Sequence, residues 1–181
     1  MKKMKKAKLR TIVLIVMLAV ILVSGLVLIQ FTPFGYRMTA PLRGFAQASP
    51  HVYIHKGFAG DRAEAVNIVE KARQRVEDFF GEIKSAPVII ICDDAKTLLK
   101  LGGDHDTQTV AAFHVYSYIA LSSEYLNVDI AAHEMTHAEV HQRVFKGKVG
   151  SPSLIPTWFD EGLALQNDAR ESYNDDAWEE A

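Results

Sequence analysis

Two histidines four residues apart with a glutamate between them, His133-Glu134-Met135-Thr136-His137, are the side chains best arranged for chemistry. Four residues of helix advance about 400° and 6 Å, so both imidazoles leave one face, one turn apart. Ring nitrogens at that spacing can reach one tetrahedral cation at roughly 2.0–2.1 Å. Glu134 stands beside the ligand face without joining it. From there a carboxylate can take a proton from a water that a metal has acidified. The structural alternative is an exposed helix with polar residues at i and i+4.

A third ligand is needed, because two imidazoles leave a site weak and open. His141 lies eight residues past His133, about 12 Å along a regular helix, and cannot share the ion. It reads as a surface histidine or as a support behind the ligands. Glu161, 24 residues after His137, fits better. It sits in Trp158-Phe159-Asp160-Glu161-Gly162-Leu163-Ala164, with Pro156 opening a helix. Its apolar neighbours predict a buried face, where a carboxylate needs a cation. The competing reading is a first-turn acid favoured by the helix dipole, with Asp160 beside it for the same reason. Gly162 costs about 1 kcal/mol inside a helix, which suggests close packing against a neighbour.

The pair of motifs, HExxH and then Trp-Phe-Asp-Glu-Gly-Leu-Ala, resembles the gluzincin metallopeptidases, particularly the peptidase MA-like group with its Trp-x-x-Glu-Gly-x-Ala signature. The diagnostic part covers residues 133–164. The resemblance implies zinc held by His133, His137 and Glu161, with Glu134 as general base. It also implies an α+β, zincin-like domain with an active-site helix and a small sheet. A peptide or protein substrate would lie along a strand within residues 110–122. Asp160 is expected to orient a ligand histidine. Larger gluzincins follow the second motif with a helical domain that supplies a transition-state donor, whereas 20 residues follow Glu161 here. The donor is therefore expected upstream (His114, Tyr116, Tyr118) or from a partner protein that completes the cleft, unless the cleft stays open; Tyr173 reads as an exposed tail residue. The rival is a non-catalytic exported module, binding zinc or protein on a vestigial peptidase fold.

The elements that must carry these residues are legible in outline. Asn127 caps a predicted helix ending near residue 146, and Asp61 caps another that ends at Gly81 with Val66, Val69, Ala72, Val76, Phe79 and Phe80 at helical spacing. Residues 51–55 alternate like a strand, and the apolar run 88–92 reads as a buried one. A short helix spans 95–101, a polar loop with a solvated His105 follows, and 109–122 forms a strand or hairpin. The chain has a single cysteine, Cys92, which excludes an internal disulfide and any thiolate zinc cluster. It reads as a core residue.

Charge divides the chain. Residues 2–10 hold six basic and no acidic residues, leaving 14 basic and 22 acidic residues, a net of −8, in the remainder. That acidic body argues against nucleic acid as a partner. Residues 12–29 carry no charge, and with residues 11, 30 and 31 the run is long enough to cross a bilayer, which needs roughly 20 residues. A secretory signal has a shorter apolar core, and the Ala46-Gln47-Ala48 cleavage-like triplet lies far beyond this one. The expected organisation is a cytoplasmic basic segment (1–10), a single transmembrane signal anchor (11–31), a linker (32–49), a peptidase domain (50–167) on the extracytoplasmic side, and a solvated acidic tail (168–181).

Overall fold

The computed structural model describes residues 2–31, 33–103, 109–112, 117–145 and 155–170. It falls into two compact units, Met1–Arg43 and Gly44–Ala181. In the first, helix α1 (Lys2–Phe31) runs without a break through the basic head and the apolar run. Its window Arg10–Val27 has a mean hydropathy of 2.6 and no buried residue. By length and composition it is apolar enough to cross a membrane, a property it shares with signal sequences. A short helix α2 (Pro33–Met38) and a 3-10 turn (Ala40–Arg43) follow. Thr39 stitches them: its hydroxyl donates to the Gly35 carbonyl at 2.8 Å and accepts from Arg43 Nε at 2.6 Å.

The second unit is a mixed α/β domain built on one five-stranded sheet, in the order β1-β2-β3-β5-β4. The strands are β1 (Phe45–Ser49), β2 (Val52–His55), β3 (Val88–Cys92), β4 (Thr109–Ala112) and β5 (Tyr118–Ser122). The inner three are parallel, and the edge strands β1 and β4 are antiparallel to their neighbours. Parallel strands need crossovers. The first crossover is helix α3 (Arg62–Phe80), and the second contains α4 (Ala95–Lys100) and the edge strand β4. The sequence 88–92 is wholly apolar because β3 is covered on both faces.

Helices α3, α4 and α5 (Val128–Phe145) begin where a side chain satisfies their first amides. Asp61 accepts from Ala63 N and Glu64 N ahead of α3, and Asp94 accepts from Thr97 N ahead of α4. The α3 stripe Ala65, Val69, Ala72 and Val76 is buried and Phe80 packs against the same core, whereas Phe79 is 44 % exposed and drops out of the apolar face. Helix α5 is capped by Asn127, whose side-chain oxygen accepts from Ile130 N at 2.9 Å. Ala131, Ala132, Met135 and Ala138 of α5 pack with Val69 and Val76 of α3 onto Ile89, Ile91, Ile119 and Leu121 of the sheet. A carboxylate fixes the depth of α5. Glu139, fully buried, accepts from Lys84 N at 2.9 Å, Ser85 N at 2.7 Å and Arg143 Nε at 2.6 Å, which ties the loop after α3 to α5. Helix α6 (Thr157–Leu165) then packs on α5.

Three expectations about organisation change. Residues 45–49 are strand β1 rather than linker, paired from Phe45↔His55 to Ser49↔Val52, so the folded unit begins at Gly44 and not at residue 50. Only Phe45 of that strand is fully buried, which is why its small polar sequence gave no strand signal. At the other end Asp168 is buried, so the solvated tail cannot start there; residues 171–181 lie outside the described residues. The fold class is also more interleaved than an α+β arrangement, since three strands run parallel around helical crossovers. Cys92 is fully buried in β3, and burial, with Asp93 and Asp94 nearby, pushes its thiol pKa up, in keeping with a core role.

Candidate metal centre

Helix α5 brings His133 Nε2 and His137 Nε2 to 3.2 Å from each other. Helix α6 carries Glu161 across, with Oε2 at 3.5 Å from His133 Nε2 and 3.7 Å from His137 Nε2. Two donors each about 2.0–2.1 Å from a tetrahedral ion stand about 3.3 Å apart, so this triangle has the right size. The group His133, His137, Glu161 could hold a metal ion.

The supports behind the histidines decide what the triangle can bind. His133 Nδ1 lies 3.3 Å from Asp168 Oδ2, and His137 Nδ1 lies 3.1 Å from Asp160 Oδ1. A carboxylate beside Nδ1 favours the tautomer that carries its proton there, which leaves Nε2 as the acceptor. With that tautomer two imidazole nitrogens and a carboxylate oxygen converge as a set that can hold a cation. Burial lowers the His137 pKa, but Asp160, Glu134 and Glu161 outweigh it and the net shift is upward.

The carboxylates are themselves held. Asp160 Oδ2 lies 3.2 Å from His141 Nε2, so one carboxylate bridges two buried histidines. Burial opposes its charge, yet His137 and His141 together keep its pKa far below the usual range. Asp168 has no exposed side chain and is clamped by Arg170, with Nε at 2.8 and 3.0 Å from its two oxygens and Nη2 also in contact. Arg170 likewise outweighs burial and lowers the Asp168 pKa. The turn that presents Asp168 is anchored by its neighbour: Asn167 donates to Thr136 Oγ1 at 2.9 Å and its carbonyl accepts from Arg75 at 3.0 Å.

Glu134 lines the same pocket, a cavity of about 290 Å³ bounded also by Thr109, Ile130, His133, Glu161, Leu165 and Arg170. Thr109, on edge strand β4, donates its hydroxyl to Glu134 Oε1 at 2.6 Å.

His133, Glu134, His137, Asp160 and Glu161 therefore meet at one place. Tyr118 does not join them: it is fully buried in β5, one residue out of phase with Ile119, which faces α5. Its ring belongs to the opposite face of the sheet. His114, Tyr116, His105 and Tyr173 lie outside the described residues. The reason given for Glu161 also changes. Trp158 and Phe159 are 76 % and 43 % exposed, and the Glu161 side chain is itself half exposed, so no buried face surrounds it. A side chain at Gly162 would meet nothing within 4 Å, so close packing does not explain that glycine.

Thr109, Asp168 and Arg170 are not singled out by the sequence, and spacing alone leaves His141 between two roles. The signal for Asp168 was weak: an acid just beyond the end of α6, in a stretch whose composition resembles a solvated tail. Nothing in the sequence singles out Thr109, which reaches Glu134 through sheet topology alone. Comparison of the chain with protein-family models returns no match, and comparisons with curated proteins and with solved structures return none either.

Proposed function

We propose that this chain is a membrane-anchored, zinc-dependent metallopeptidase of gluzincin type with a zincin-like fold. The observation that carries the reading is the convergence of His133, His137 and Glu161, with a carboxylate close behind each imidazole, beside a glutamate that is not one of the three. Two imidazoles and one carboxylate suit zinc, and this set leaves a fourth position open. Zinc bound there acidifies a water and polarises a carbonyl. His133, His137 and Glu161 hold the ion, and Asp168 and Asp160 keep the two imidazoles in the binding tautomer. Glu134 accepts a proton from the attacking water and delivers it to the leaving amine. Edge strand β4, at the end of the sheet and in contact with Glu134, offers backbone groups for an extended peptide.

The anchor reading draws support from β1. Ala46-Gln47-Ala48 lies inside that strand, so cleavage after Ala48 would cut the sheet. The basic residues before the apolar run keep the N-terminus in the cytoplasm and the folded unit outside.

The test uses the full chain in detergent or nanodiscs. Metal analysis of the purified protein is expected to give one zinc per chain, and a peptide library should be cleaved by wild type and not by Glu134→Gln. A chain that binds no zinc would end the reading. Zinc retained without cleavage would favour a non-catalytic metal-binding module.

A further inference from the structure

We propose that Thr109 is a positioning residue for Glu134, a role that rests on the peptidase reading above. The contact is short, 2.6 Å, and joins residues 25 apart that belong to different elements. Thr109 enters from β4, where it pairs with Leu121 of β5, a residue packed against α5. That register turns the threonine toward the helix bearing Glu134. The hydroxyl hydrogen goes to Oε1, which leaves Oε2 as the oxygen that takes and returns the proton in the cavity both residues line. A glutamate side chain has three rotatable bonds, and one fixed oxygen removes most of their freedom.

The arrangement ties the base to the strand that would receive the substrate. Among the described residues β4 ends the sheet, with β5 on one side. A peptide that pairs with β4 would lie on the same backbone that presents the Thr109 hydroxyl, so the base is aligned before the substrate arrives.

The experiment compares wild type, Thr109→Ser and Thr109→Val in the full chain, with three readouts: zinc content, kcat and KM on a cleaved peptide, and the position of Glu134 in crystals of the metal-free proteins. Thr109→Val is expected to lower kcat by about 10- to 100-fold with KM within about twofold. Zinc content should be unchanged, and Glu134 should leave its present position. Thr109→Ser keeps the hydroxyl and should restore both kcat and the side-chain position. Wild-type kcat in Thr109→Val, equal damage in both variants, or loss of activity that follows loss of zinc would each overturn the assignment. Should zinc-loaded wild type cleave nothing, the peptidase reading fails by itself. The crystals then still decide the contact: Glu134 unmoved in Thr109→Val overturns it, and Glu134 displaced in Thr109→Val alone upholds it.

Discussion

Asp160 shows how much one carboxylate can decide. It lies against His137 on one side and His141 on the other, and its charge survives burial because both partners favour it. Its loss has two separable effects on metal binding. Asp160→Asn no longer holds the His137 tautomer, so zinc affinity at pH 8 should fall about 10- to 100-fold. The same change removes the main influence raising the His137 pKa. In wild type that raised value means protons begin to displace zinc above the ordinary histidine value of about 6.5 as pH falls. In the variant the loss should begin at lower pH, and competition titrations from pH 5.5 to 8 would read both effects. Unchanged affinity would deny Asp160 its supporting role. Gly162 gives a second prediction at this scale. Because a methyl group there meets open space, Gly162→Ala should raise stability by up to about 1 kcal/mol in denaturant unfolding. The HExxH spacing needed only a helix to become a site, so the residues on α5 were legible from sequence. Asp168, Arg170 and Thr109 were not, since their roles depend on a turn and a strand register that no local pattern encodes.

Among the elements, α5 and the loop after α3 are joined through one buried acid. Glu139 answers two backbone amides and a guanidinium, and Arg143 also donates to the Glu82 carbonyl at 2.6 Å. Glu139→Ala would leave two backbone amides and a guanidinium without their shared acceptor and should cost about 1–3 kcal/mol, measured by unfolding of the zinc-free protein. A change below about 1 kcal/mol would show that water replaces the carboxylate readily. Helices α3 and α5 were readable in advance because caps and 3.6-residue periodicity coincide at both. Strand β3 was readable for a different reason, since a strand covered on both faces has to be apolar throughout. β1 is not legible in the sequence because an edge strand with one buried side chain carries almost no pattern. A soluble fragment must therefore retain Phe45, and one that begins at residue 50 should fold poorly.

For the whole molecule, the net charge of −2 is a near-cancellation between a basic head and an acidic body. If the head sets orientation, a protease added outside sealed cells should digest the folded unit and spare residues 1–10; the reverse pattern would invert the proposed topology. Stability is also unevenly distributed. Helix α6 has one fully buried side chain, Ala164, and exposes Trp158 and Phe159. Little apolar area fastens it, yet it supplies Glu161 and leads into the turn that bears Asp168. An ion shared between α5 and α6 is then a cross-link as much as a reagent. Chelation should speed amide hydrogen exchange in residues 157–168 well before it touches β3 or α3. If the folded unit lies outside the cell and the ion is zinc, as proposed, free zinc there would set how long α6 stays docked and hence how readily proteases can clip the protein at that helix.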